Sequence, residues 1–583
     1  MSTTTEAHVL AGGFGKLMYG GARHMSKGGA SSVRPRAAAF LLAASVALSF
    51  GLMLVLRIHF MVVDDSLLAM IAAGAYGPGT SQYLLFPNIT VGWLLSGLYS
   101  IAPFLPWYAL LVVGLECLSF WMAGLMLCRA RVSARWFAAL ALAEVLASCL
   151  VTYTVSAALA TAVGVCCLAR PPEHHRAAWV VASAALALAG FLLRAPSMAV
   201  ALLVAIPVVA STASREGRVR TAALLAVVLL ACAAASALNG WAYAQSPRDM
   251  DSLTRQDDSH RMVDYAPVAW DAHAAELERI GWSKNDLEAY YSWTLADFDV
   301  YSVENLGKLG QMLPLAEKYQ VSPLGLLKGI AKPRGALALM SVLALAVLAS
   351  PLGSAGATWR RWTPLFVVLC FTAGYVALVV RQRVVGNALA ALLVPSIVCV
   401  CVAYAGGPHS SGGEATNPEP GHRRKAVMGA CALLYLLSTV AFAASLMKAP
   451  GGGDSTLDRS VDSWMERHPN ELVATGASFQ FMRDRPVFEL SVPERFLQTV
   501  KVGSWSIDGT RWYSQLERWG VDPRHLLLEL AAKDNIVFLP DDDRQLGLVE
   551  TFITEHTGRA VTADEVAELE GGGTLYRLRY SDD

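Results

Sequence analysis

Long apolar runs alternate with short basic connections through most of this chain, and that alternation predicts a bundle of membrane-crossing helices. Eleven runs qualify: 37–56, 107–128, 136–151, 154–169, 177–193, 197–212, 221–239, 336–352, 363–380, 386–404 and 426–446. A crossing helix needs about 20 largely apolar residues, or about 17 at the short end. Several of the runs are short and rich in Ala, and acids interrupt them only at Glu116 and Glu144. A further apolar stretch, 88–106, is broken by Pro103 and Pro106 and preceded by Gly74–Pro87. It reads as a helix lying in or dipping into the interface, so that 66–106 forms one extended outer loop with two juxtamembrane helices.

Lys and Arg beside the runs set the orientation. The tail before residue 37 holds Lys16, Arg23, Lys27, Arg34 and Arg36, which places the N-terminus inside. Alternate connections then hold Arg129, Arg131 and Arg135; Arg170 and Arg176; Arg215, Arg218 and Arg220; Arg360 and Arg361; and Arg423, Arg424 and Lys425. Eleven crossings put the C-terminus outside. The first run has no A-x-A-like site after it and is expected to remain as an uncleaved anchor.

Three divisions follow: a basic cytoplasmic tail at 1–36, a transmembrane region at 37–446 with exterior loops 57–106 and 240–335, and an exterior domain at 447–583. In the last, apolar runs Glu471–Ala477 and Asn535–Pro540 alternate with helical patterns Arg511–Trp519 and Gln545–His556, which predicts a small α/β domain. Loop 240–335 carries Trp270, Trp282, Tyr290, Tyr291, Trp293 and Tyr301, suited to a folded loop near the membrane. Residues 405–422 read as a flexible inner connection and Gly451–Gly453 as a hinge.

Composition confirms the class. Hydrophobic residues make up 54% and charged residues 16%, with 47 Lys+Arg against 47 Asp+Glu; mean hydropathy is +0.42. Soluble domains carry about 25% charge. A soluble enzyme, a disordered chain and a nucleic-acid binder with a basic face are excluded. All ten cysteines fall inside predicted spans, which excludes disulfides and thiol-bound metal in the exterior regions.

The strongest chemical signal is Asp64-Asp65, just past the first run in RIHFMVVDDSLLAMIAAGAYG. Adjacent acids with apolar sequence on both sides are costly unless partnered. They read either as a cap for a helix over Ser66–Gly74 or as a catalytic carboxylate in an outer cavity. In the second case they act as a general base on an acceptor hydroxyl or hold a divalent cation that clamps a phosphate.

An acidic pair at the outer end of the first helix, a long first exterior loop with juxtamembrane helices, about eleven spans and an exterior C-terminal domain together resemble the GT-C class of integral-membrane glycosyltransferases. The resemblance implies transfer of a sugar from a polyprenyl-phosphate carrier at the outer face of the plasma membrane, with Asp64 or Asp65 as the catalytic or metal-binding carboxylate. The Pro-Pro-Leu run of many relatives appears here only as Phe86-Pro87-Asn88-Ile89. The connection Thr152-Tyr153-Thr154 has no acid, whereas metal-dependent relatives often carry a second carboxylate in a later outer loop; that difference favours a general base.

Outer arginines stand out against the positive-inside bias. Arg194, Arg381 and Arg383 are candidates for a lipid phosphate, which a guanidinium fork binds bidentately; the alternative is snorkelling to headgroups. In loop 240–335 the run TRQDDSHRMVDYAP offers His260, Arg261 and Asp264 as an acceptor or loop site, against a solvated polar face. The expected partners are a polyprenyl-phosphate-linked sugar, an acceptor glycan, lipid or protein, and membrane lipid, without nucleic acid. The rivals are a glycan polymerase or ligase using a lipid carrier, a lipid or glycan transporter for which Glu116 and Glu144 would be central, and a non-catalytic scaffold.

Overall fold

The computed structural model describes residues 35–581 apart from 76, 78, 131, 212–214, 264–267, 313–321, 351–358, 382, 406–421, 448–453, 478–485 and 490–496. Most of the basic tail, the inner connection and the glycine hinge lie outside the described residues.

Helices occupy all eleven apolar stretches: Pro35–Val55, Trp107–Arg129, Ala134–Cys149, Tyr153–Ala169, Arg176–Leu193, Ala195–Ala210, Arg215–Ala244, Pro333–Ala349, Thr363–Val380, Gly386–Ala405 and His422–Leu446. Among the described residues seven are long and apolar enough to cross a membrane, and up to eight if Pro323–Ile330 and Pro333–Ala349, bent by 65°, form one broken span. Tyr153–Ala169 is short because it is wrapped by protein. All of its residues except Thr154 are buried, against helices Trp107–Arg129, Arg176–Leu193, Ala195–Ala210 and Gly386–Ala405. Small residues allow that closeness, as is usual between helices in lipid. A Cβ on Gly190 would come within 2.4 Å of the Ala157 carbonyl, and one on Gly164 within 2.6 Å of the Ser183 carbonyl.

The two intramembrane acids are held by serine hydroxyls. Ser156 donates to Glu116 Oε1 at 2.7 Å, while Ser49, at 3.1 Å, and Ser45 donate to Glu144 Oε1. Burying a carboxylate among apolar helices requires such donors.

Between the first span and Trp107 lie two shorter helices, Val63–Ala73 and Ile89–Ile101. Asn88 starts the second: its side chain accepts from the Thr90 amide at 3.1 Å and donates to the Ala235 carbonyl at 2.9 Å. Gly92 lets the helix lie on the preceding chain, since a Cβ there would sit 1.9 Å from the Gln82 carbonyl oxygen.

The hydrophilic regions build a sheet domain. Strands β1 (Leu472–Thr475), β2 (Thr499–Lys501), β3 (Ile536–Leu539), β4 (Val561–Glu568) and β5 (Thr574–Tyr580) are ordered β2-β1-β3-β5-β4. The first three are parallel, with Val473 opposite both Thr499 and Val537; β5 runs antiparallel to β3 and β4. Every residue of β1, β2 and β3 is buried, as expected for parallel strands covered on both faces.

Part of that cover comes from the middle loop. Tyr290, Tyr301, Leu306 and Leu309 share one hydrophobic core with Leu526, Val549 and Phe552. The amides of Leu295 and Ala296 donate to the Val502 carbonyl, and a buried ion pair joins Arg255 to Asp508 at 2.8 Å. The stretches around 268–312 and 454–581, separated in sequence by five α-helices among the described residues, therefore form one folded unit.

Among the described residues this unit grips the bundle at several places, two of them as follows. Val487 donates its amide to the Ile58 carbonyl, Phe488 stacks on Phe50 and Glu489 pairs with Arg57 at 3.1 Å. Arg511 donates to the carbonyls of Ala75, Gly77 and Gly79 just past helix Val63–Ala73.

Candidate functional site

Helix Val63–Ala73 follows Val62 in an extended conformation, with no side chain capping its N-terminus. Asp64 and Asp65 therefore lie inside the first turn rather than at the cap. The helix dipole favours negative charge there, and both side chains are left for other contacts.

The two acids occupy different environments. Asp65 is fully buried. Its Oδ1 accepts the Tyr108 hydroxyl and the Tyr153 amide, each at 2.8 Å, while Oδ2 has no hydrogen-bond partner. Burial pushes its carboxyl up to about 7, against donors at Thr152, Tyr153 and Tyr108 that favour the charged form; the neighbouring Asp64 charge adds to the rise. Asp64 is only half-buried, and its Oδ1 accepts the indole N–H of Trp505 at 2.9 Å.

Arg194 joins the same cluster. It sits at the tip between helices Arg176–Leu193 and Ala195–Ala210, in an extended conformation that ends one and starts the other. Its guanidinium lies 4.7 Å from the centre of the Phe86 ring and 5.2 Å from that of Tyr153. The Phe86 ring lies 4.6 Å from Trp505 and stacks on Tyr153 at 6.2 Å. Tyr153 thus bridges the groups, its amide on Asp65 and its ring beside Arg194. Asp64, Asp65 and Arg194 meet at the end of the bundle where the sheet domain docks.

Arg381 and Arg383 belong to the turn after Thr363–Val380, where the Arg383 amide closes on the Leu378 carbonyl at 2.8 Å. Among the described residues, the contacts given above do not join Arg381 to Asp64 or Arg194. The next helix begins with Gly386 packed against Met61 and Leu446, beside an apolar cavity of about 420 Å³ lined by Leu56, Arg57, Ile58, His59, Met61, Cys149, Leu150, Leu446 and Met447. His260 and Arg261 fall in helix Pro247–Val263. Their side chains, and Asp264 entirely, lie outside the described residues.

A second cavity of about 570 Å³ opens on the far side of Trp505. Its walls come from the first loop (Tyr83, Leu85), helix Pro247–Val263 (Asp249, Ser252) and the sheet domain (Lys501, Trp505, Arg511, Trp512). Lys501 is buried, donates to the Ala477 carbonyl at 3.0 Å and is pushed down to about 7 by burial, against the charge of Asp541. Burial likewise pushes Arg511 down to about 10.

Asp65 Oδ1 is occupied by an O–H and an N–H donor, and no group of three His, Cys, Asp or Glu side chains comes together among the described residues. Hard cations take several oxygen ligands.

No protein-family model and no curated protein matches the chain. One solved structure is similar over most of its length. It is the crystal structure of ArnT from Cupriavidus metallidurans bound to undecaprenyl phosphate, at 14% identity and a TM-score of 0.39, covering 92% of this chain and 97% of that one. A likeness at that level assigns no role to any residue.

Sequence reasoning singled out Asp64, Asp65 and Arg194, and missed the aromatic groups that join them. Phe86 was visible only as part of a proline-containing departure from a motif. Tyr108 and Tyr153 look like ordinary aromatic residues at the starts of apolar runs. Trp505 had a local signal: it is the one aromatic side chain in the turn-rich run Gly503-Ser-Trp-Ser-Ile-Asp-Gly509.

Proposed function

We propose that this protein is an integral-membrane glycosyltransferase that moves a sugar from a polyprenyl-phosphate donor to an acceptor hydroxyl at the outer face of the membrane. The observation that carries the reading is the pairing of an accessible carboxylate, Asp64, with the cationic Arg194 on one aromatic scaffold beside the docked sheet domain. Asp64 takes the proton of the acceptor hydroxyl as its oxygen bonds to the anomeric carbon. The bond from that carbon to the phosphate oxygen breaks, and Arg194 neutralises the charge left on the phosphate. Asp65 has no exposed surface and serves to hold the turn through Tyr108 and Tyr153. The basic connections in the sequence support an outside location for this end of the bundle, and Leu56, Ile58 and Met61, with Arg57 and His59 beside them, line a cavity suited to a lipid chain and its headgroup.

The test is release of polyprenyl phosphate from a panel of polyprenyl-phosphate-linked hexoses and pentoses by the purified chain in lipid nanodiscs. Wild type is compared with Asp64→Asn, Asp65→Asn and the double variant. Loss of turnover in Asp64→Asn supports the reading, and undiminished turnover in all three would sink it.

A further inference from the structure

The sheet domain docks on the bundle and also contributes a side chain to the carboxylate cluster. Trp505 leaves the end of β2 on the loop Gly503–Gly509 and reaches across 441 positions of sequence to donate its indole N–H to Asp64 Oδ1 at 2.9 Å. Its ring packs against Phe86 at 4.6 Å and against the bundle core. It also lines the 570 Å³ cavity. Trp505 therefore stands between that cavity and the acid.

The loop is built to hold this pose. Ser504 and Asp508, neither of them glycine, adopt φ of 92° and 65° on either side of Trp505, conformations that persist only where the surroundings enforce them. The surroundings are visible. A Cβ on Gly503 would sit 1.3 Å from the Trp293 carbonyl oxygen, so only glycine fits that contact. The Ile507 carbonyl accepts from Ser252 at 3.1 Å, Asp508 pairs with Arg255 at 2.8 Å, and the Thr510 amide donates to Asp249 at 3.1 Å. Each anchor comes from the middle loop, so the two hydrophilic regions act together on this one side chain.

We infer that Trp505 is a positioning residue: the sheet domain uses its indole N–H to fix the orientation of the Asp64 carboxylate. The inference rests on the role given to Asp64 above. A hydrogen bond to a charged acceptor both orients it and tunes its basicity, so losing the N–H lowers the rate of proton transfer without weakening donor binding. The site is then complete only when the sheet domain is docked.

Trp505→Phe keeps a ring against Phe86 and removes only the N–H donor. In nanodiscs it is expected to lower kcat by about tenfold or more, with KM for the lipid donor within about twofold of wild type and an unchanged melting temperature. In an Asp64→Asn background the same substitution is expected to cost less than about twofold further, because the two groups act through one interaction. Wild-type kcat in Trp505→Phe, or a full additional loss in the double variant, overturns the inference. A second measurement needs no turnover: the Trp505 indole N–H resonance, assigned by its absence in Trp505→Phe, shifts upfield in Asp64→Asn if the bond exists and stays in place if it does not. Normal turnover in Asp64→Asn with a shifted resonance would instead refute the base role while leaving the contact standing.

Discussion

Two pairs of acids lie on neighbouring helices of this bundle, and they are treated differently. Glu116 and Glu144 sit within the helix packing and receive serine hydroxyls from adjoining helices. Among the described residues, the bonds given above join nothing cationic to them. Asp64 and Asp65 sit where the bundle meets the sheet domain. There one acid is buried on tyrosine hydroxyl and amide donors, and the other is half-open under a tryptophan N–H, with an arginine one ring away. Charge cost alone does not mark a reactive carboxylate. Access and a complementary cation do.

The largest effect that would sharpen this contrast is Asp64→Asn, expected to lower turnover by about 10² to 10⁴, the usual contribution of a positioned general base. Next comes Arg194→Ala, expected to cost about 10- to 100-fold in kcat/KM, of the order of losing one charge-assisted contact to a phosphate. Arg194→Lys should restore only part of that loss, because an ammonium lacks the planar fork. Kinetics at varied donor concentration separates the two. Equal sensitivity to Arg194→Ala and to Arg381→Ala would place the phosphate elsewhere.

Asp65 gives a pH test. Its pKa rises from 3.8 to about 7 on folding, so the native state binds the proton more tightly than the unfolded chain. Its contribution to stability is therefore least unfavourable below pH 4 and grows more unfavourable as pH rises towards 7. At about 1.4 kcal/mol per pH unit the total is about 4 kcal/mol. Denaturation of Asp65→Asn beside wild type is expected to show the variant gaining relative stability across that window. A constant difference would mean that Asp65 is charged throughout. The smallest effect is expected at the intramembrane pair: Glu116→Gln and Glu144→Gln should each leave turnover within about twofold, since a glutamine still accepts the serine hydroxyl. Loss of activity there with a mild Asp64→Asn would favour a transporter.

Much of the bundle was legible because lipid imposes a strict rule on the sequence: apolar stretches of a set length, with basic residues gathered at one set of ends. All eleven stretches proved helical, including short Tyr153–Ala169, whose Ala, Gly and Thr residues made it a weak candidate by hydropathy and an excellent one for close packing. The cores of β1 and β3 were legible as buried apolar runs. Strands β4 and β5 were not, because no residue of Val561–Glu568 is buried and the adjacent acids Asp564 and Glu565 interrupt its apolar pattern. Nor does the sequence reveal that the middle loop and the C-terminal stretch share a core, a long-range fact carried by contacts such as Leu295 on Val502. In the candidate site the charged members announced themselves, since a charge near lipid is costly. The aromatic members did not, since Phe86, Tyr153 and Trp505 are unremarkable until the fold brings them together.

The most direct test pairs Asp64→Asn with Glu144→Gln in one nanodisc preparation, following both polyprenyl-phosphate binding and its release from a sugar-linked donor. Both variants are expected to bind the lipid phosphate, with Glu144→Gln turning over at nearly the wild-type rate and Asp64→Asn about 10² to 10⁴ more slowly. Wild-type turnover by Asp64→Asn in protein that is folded and binds the lipid would contradict the role given to Asp64.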